Sequence, residues 1–324
     1  MQYYPRLDLL KFCCCIGIVF IHTVPFADFG QINERFLHLQ PIFVAMFFII
    51  SSSLFWPKMR GGGDAHRLWH FSSRLLILAT LWGILLLPHW LPKFIRHNED
   101  TWQVLLLPKI LLSGFCQGSW FIMSLVYGVL ICYLLNRFLN RHVVFVLCAS
   151  LWLYLSLVFY EGMTDYLHIY FEKTDDSFGF ESYFSPVRSL VWIEAGYYLV
   201  PIFCRRFSSH AIIISSLICL IAVGFLDTGY FVANGLIAVL LPAWAMKKTQ
   251  DSPEPPLVTL RQMSIVVFFI HFVFVTIFHV LFTKGIIGFD KGLVVTLVVL
   301  ALSLTTAYAL VRASRKYRWL RYLY

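Results

Sequence analysis

Residues 264–283 read Ser264-Ile265-Val266-Val267-Phe268-Phe269-Ile270-His271-Phe272-Val273-Phe274-Val275-Thr276-Ile277-Phe278-His279-Val280-Leu281-Phe282-Thr283. No Asp, Glu, Lys or Arg interrupts the run, and as a helix it is about 30 Å long, the thickness of a bilayer's hydrocarbon core. A stretch of this length and composition reads as a membrane-spanning helix. Working outward, similar apolar stretches recur at 9–28, 38–56, 74–91, 120–137, 143–160, 186–204, 211–226, 229–246 and 292–312. With 264–283 that makes ten candidate spans.

Composition points the same way. Of 324 residues, 59% are hydrophobic and only 13% are charged, about half the roughly 25% typical of soluble domains. Mean hydropathy is +0.75. Too little polar surface remains to cover a water-soluble globule of this size. The expected fold class is all-α, a polytopic transmembrane helix bundle of about ten helices forming one domain over 1–324. The longest connections, 92–119 and 161–185, are too short for a separate soluble domain. Residues 102–115, apolar but brief, are expected to be interfacial or re-entrant.

The formal net charge of +9 gains its meaning from where the cations sit. Ten spans put both termini on one side, and taking that side as cytoplasmic places 18 of the 26 Lys and Arg residues inside. Twelve of the seventeen acids fall outside; the inner acids are Asp8, Asp64, Asp251 and Glu254. This is the positive-inside bias of a membrane protein, and it removes any need to invoke nucleic acid. The first apolar run follows basic residues as a signal peptide would, but Val24-Pro25-Phe26 offers no small-residue cleavage site, so a retained helix is expected.

Cysteine usage excludes a disulfide-stapled exterior. Of eight cysteines, only Cys116 falls in an outer segment, and the Cys13 to Cys15 run has no histidine at ligand spacing; packing is expected there and no metal. The Gly61-Gly62-Gly63 turn lacks both the preceding strand and the Lys-Ser/Thr pair of a phosphate loop.

Ionisable groups at membrane depth are costly unless paired or facing water, which makes them functional candidates. His22, Glu194, His271 and His279 lie within spans, and Arg74 opens the third. Counted from residue 9, His22 stands roughly 20 Å along its helix. Asp8, Lys11, Cys15 and His22 fall on one stripe within roughly 60°. Counted from Arg188, Glu194 lies about 9 Å below the outer boundary, the same depth as His22. Two arrangements are open. Glu194 either orients His22 so that its second nitrogen acts as a base, or bonds Tyr197 or Tyr198 while His22 serves helix packing. His271 either lines a channel or packs, and His279 has no assignment.

The segment Arg6-Leu7-Asp8-Leu9-Leu10-Lys11, running into an apolar helix that ends Val19-Phe20-Ile21-His22, resembles the first helix of the membrane-bound acyltransferase 3 family. Phe47-Phe48-Ile49-Ile50-Ser51-Ser52-Ser53-Leu54 is similar to that family's Phe-Phe-x-x-Ser-Gly segment, with Ser52 in place of glycine. Arg74-Leu75-Leu76 leading to Trp82, then Trp120-Phe121, Arg188 with Gly196, and Ser264 through His271 follow in the family's order.

The resemblance implies an integral membrane O-acyltransferase. It moves an acyl group, commonly acetyl from cytoplasmic acetyl-CoA or another acyl-CoA, to a hydroxyl of a glycan or related acceptor beyond the outer face. The implied location is a bacterial inner membrane. An acyl-CoA is a polyanion, so its phosphates are expected at inner cations: Arg67, Arg74, Arg60 and Lys58. Its pantetheine arm would follow the stripe of Asp8 and Lys11 towards His22, with His271 along the channel. His22 is the expected base or acyl carrier, Glu194 its orienting partner, and Arg188 and Trp120 the expected acceptor contacts. A proton-coupled transporter or flippase-like component using His22 and Glu194 as a relay is the alternative from another class. A non-catalytic component of polysaccharide export is a third.

Overall fold

In a computed structural model of the chain, residues 3–61, 64–97, 118–160, 185–225, 230–247 and 254–324 are described, with a few isolated positions between 103 and 114. They form eleven α-helices joined by turns and short 3-10 segments. In order these are α1 (Pro5–Thr23), α2 (Gly30–Phe55), α3 (Asp64–Leu85), α4 (Leu87–His97), α5 (Ser119–Phe138) and α6 (Arg141–Tyr160), followed by α7 (Ser185–Arg206), α8 (Ser209–Phe225), α9 (Tyr230–Ala245), α10 (Pro255–Thr283) and α11 (Leu293–Ala313). Among the described residues, five stretches are long and apolar enough to cross a membrane: Gly30–Met59, Asp64–Leu85, Ser119–Phe138, Pro255–Thr283 and Leu293–Ala313. Arg141–Tyr154, α8 and α9 are shorter apolar helices. The two remaining expected spans, α1 and α7, carry the charged residues that lower their hydropathy.

Several helices extend past the apolar run that announced them. α2 starts eight residues before the expected 38, and α3 starts at Asp64 and ends at Leu85, so Arg74 lies mid-helix and does not open it. Polar residues continue a helix as readily as apolar ones, so the hydrophobic boundary marks the bilayer and not the helix end. Most of 102–115 and all of 161–184 lie outside the described residues.

The chain divides into two compact units, 1–50 with 199–324, and 51–198. In the first unit, α1 is the central helix. It packs against α9, α10 and α11, which explains why Leu7, Cys14, Cys15, Ile18 and Val19 are each no more than 4% exposed although no single face of α1 is apolar. Gly17 allows α2 to approach closely: a Cβ there would sit 2.5 Å from the Phe43 ring. Cys14 Sγ meets Met46 Sδ at 3.8 Å, so α1 and α2 run antiparallel. On α2's other side, Asn234 Nδ2 donates to the His38 carbonyl at 2.6 Å, and the His38 ring stacks on Tyr230 at 4.0 Å.

In the second unit, α5 presents Ser124, Gly128, Cys132 and Asn136, one residue per turn, to α7. This spacing of small side chains lets two helices approach in a membrane. Ser189 Oγ donates to the Ser124 carbonyl at 3.3 Å, and Cys132 Sγ to the Leu190 carbonyl at 3.8 Å. Ser52, standing where the related segment has glycine, is fully buried and donates to the Ile193 carbonyl at 2.5 Å; Ser53 donates to the Gly196 carbonyl at 3.0 Å. These hydroxyls join the end of α2 to α7.

Candidate functional site

His22 is the penultimate residue of α1. The helix stops there because Val24 turns into the left-handed region at φ 46°, with its N–H returning to the Phe20 carbonyl at 3.0 Å. That conformation is rare for a β-branched residue and costs of order 1–3 kcal/mol. It is held by its neighbours. The Gly292 N–H donates to the Thr23 carbonyl at 3.0 Å, and the Thr296 hydroxyl donates to Thr23 Oγ1 at 2.8 Å. Gly292 itself has φ 103°, a backbone state suited to glycine. The first turn of α11 therefore clamps the residue next to His22.

The His22 ring faces α10. Its centroid lies 5.3 Å from that of His271 and 4.7 Å from that of Phe272. His22 is half-buried and its ring nitrogens take no hydrogen bond among the described residues, whereas His271 is fully buried. His271 Nδ1 stands 2.9 Å from the Val267 carbonyl oxygen. A carbonyl only accepts, so Nδ1 carries the proton and Nε2 keeps its lone pair. That Nε2 is buried and has no hydrogen-bond partner.

The same two helices meet at two further levels. Cys15 Sγ donates to the Ser264 carbonyl at 3.1 Å, and Arg261 Nη1 stands 3.6 Å from Asp8 Oδ2. Asp8, Cys15 and His22 on α1 thus oppose Arg261, Ser264 and His271 on α10, rung by rung. Tyr3 lies beside Asp8. Burial first, and then the carboxylate, push its phenol up to about 12, which keeps it protonated. Sequence reasoning missed Arg261, although it stands ten residues before His271 on the same helical face.

The carboxylate expected to orient His22 lies in the other unit. Glu194 is fully buried, accepts from Asn136 Nδ2 at 2.5 Å, and leaves Oε2 without a partner. Tyr197 and Tyr198 bond other groups. Arg141 donates to the Tyr197 carbonyl and stacks over its ring at 3.9 Å, and His142 Nδ1 meets the Tyr198 hydroxyl at 2.6 Å. Glu194 is level with Asn136, one turn from the connection of α5 to α6 that carries Arg137 and Arg141, and not near the Trp120 end of α5.

Of the expected donor contacts, Lys11 is half-buried in the first unit and Asp8 is engaged by Arg261. In the second unit Lys58 and Arg74 are exposed and Arg67 half-buried, with Lys58 close enough to feel the Arg74 charge. The Arg60 and Arg188 side chains lie outside the described residues. Trp120 is half-buried, its ring perpendicular to Phe121 at 6.3 Å. His279, unassigned from sequence, bonds Asp290 Oδ2 through Nδ1 at 2.9 Å on the surface. Among the described residues no group of three His, Cys, Asp or Glu side chains could hold a metal.

Among the described residues, the chain combines helices apolar enough to cross a membrane with an imidazole pair between α1 and α10. The sequence profile of the acyltransferase 3 family, described as an acyltransferase domain, matches residues 4–312. The chain belongs to that family of membrane acyltransferases. No curated protein and no solved structure matches it.

Proposed function

We propose that the protein transfers an acyl group from acyl-CoA, acetyl in the simplest case, to a hydroxyl of a glycan or similar acceptor outside the membrane, with His22 as general base. The observation that carries this is the apposition of His22 and His271 in a chain of an acyltransferase family. No hydrogen bond joins the two rings as they stand, but with centroids 5.3 Å apart a turn of the His22 ring brings one of its nitrogens towards His271 Nε2. With its own proton committed to the Val267 carbonyl, His271 offers only a lone pair. As the transfer begins, that lone pair accepts the N–H of His22, which fixes the tautomer and leaves the second His22 nitrogen as the base. The orienting role assigned from sequence to Glu194 thereby passes to His271.

The acceptor hydroxyl gives its proton to His22 as its oxygen attacks the thioester carbonyl carbon. The C–S bond then breaks, and the departing CoA sulfur takes the proton back from His22. Donor phosphates stay at the cytoplasmic side, where the unit that holds His22 also carries Lys11 and Arg261. The location that fits is a bacterial inner membrane.

The test is acyl-CoA turnover by protein purified in lipid nanodiscs. His22→Ala is expected to lose about 10²–10⁴-fold in kcat. Undiminished turnover in that variant rules the proposal out. Single-turnover labelling with radioactive acyl-CoA is expected to leave no label on the protein; label that disappears in His22→Ala marks the acyl-carrier route instead.

A further inference from the structure

One face of α2 looks towards the two helices that carry the histidines. Asn33, Phe36, Gln40, Phe43 and Phe47 follow one another at intervals of three and four, which places them within roughly 80° of one another around the helix. The phenylalanines show which way this stripe faces. Phe36 packs on Phe20 and Phe26 with ring centroids 6.3 and 5.2 Å apart, Phe43 lies against Gly17, and Phe47 meets Phe268 of α10 at 6.2 Å. The antiparallel register that sets Cys14 against Met46 and Gly17 against Phe43 carries Gln40 to the level of Phe20, within a turn of His22. Asn33 lies seven residues, about 10 Å, further towards the end that the charge bias assigns to the outside.

Both amides are incompletely used. Gln40 Nε2 and Asn33 Oδ1 are buried and have no hydrogen-bond partner among the described residues. A buried donor or acceptor left unmade is destabilising, and apolar residues would fill these positions at no such cost. One is a donor that lacks an acceptor, the other an acceptor that lacks a donor. A hydroxyl group answers either need, while a carboxylate or an ammonium group answers only one.

We infer that Gln40 and Asn33 are acceptor-positioning residues, holding hydroxyls of an uncharged glycan on the outer side of His22. The inference rests on the proposed transfer reaction for its purpose, but not for its test. The full chain in lipid nanodiscs is titrated with methyl maltoside, followed by saturation-transfer NMR, with digalacturonate as the charged comparison. Methyl maltoside is expected to bind the unaltered protein and His22→Ala alike. Gln40→Leu and Asn33→Leu are each expected to weaken it about tenfold while leaving the melting temperature equal or higher, because an unpartnered buried amide is removed. Failure of methyl maltoside to bind, equal affinity in the Leu variants, digalacturonate binding as tightly, or loss of stability in both Leu variants overturns the inference. Because binding needs no turnover, these outcomes are independent of whether His22→Ala loses thioester cleavage.

Discussion

Asp8 Oδ2 and Arg261 Nη1 lie 3.6 Å apart, but the two partners are unequally placed: the carboxylate side chain is 5% exposed and the arginine 42%. Removing the arginine strands a buried charge, whereas removing the carboxylate frees a cation that water can reach. Arg261→Gln should therefore destabilise by about 1–3 kcal/mol and Asp8→Asn by less than about 1 kcal/mol. Thermal melts of the purified variants check the order, and the reverse order would show that the pair does not hold α1 to α10.

His271→Leu should lower kcat by about 100-fold, since general-base efficiency depends on tautomer and orientation. The KM for acyl-CoA should stay within about twofold, and the pH dependence of kcat should change shape. A loss of structure alone would lower the active fraction without altering that profile, so measuring both separates the two causes.

Glu194→Gln keeps an oxygen for Asn136 to donate to and should retain transfer within about threefold, whereas Glu194→Leu strands the amide at a cost of about 1–3 kcal/mol. Turnover and melting temperature measured together decide between this supporting role and a direct one. If the Gln variant abolishes transfer while melting normally, the carboxylate belongs to the reaction after all.

Val24→Gly relieves a left-handed valine and should raise stability by about 1 kcal/mol, less the entropy that glycine adds to the unfolded chain. Gly292→Ala places a Cβ at φ 103° and should cost at least about 1 kcal/mol. Opposite shifts in melting temperature are the expected pair of results; like-signed shifts would mean that the clamp on Thr23 is not what fixes the end of α1.

The membrane character of the chain and the polar stripe of α1 were legible because both are periodic properties of contiguous residues. Asp8, Cys15 and His22 share a face by arithmetic alone. Their counterparts Arg261, Ser264 and His271 share a face by the same arithmetic, but nothing local states that two helices some 250 residues apart will lie in register. Glu194 shows the limit more sharply. Its depth was counted from an arginine taken as a boundary marker, while its neighbour Asn136 sits at the far end of α5, a relationship fixed by the small residues Ser124, Gly128 and Cys132. Ser52 was legible as a departure from its family's glycine. That its hydroxyl would cap the Ile193 carbonyl was not, since helix pairing decides it.

The contact of Gly17 with Phe43 limits how molecules reach the imidazole. Where the backbone of α1 almost touches a phenyl ring, no methylene chain and no file of water can slip between those two helices. The flank facing α2 is therefore shut below the level of Phe20. Anything that reaches the ring from the Asp8 end of α1 has to pass on another side, and a bulkier residue at position 17 would pry this seam apart.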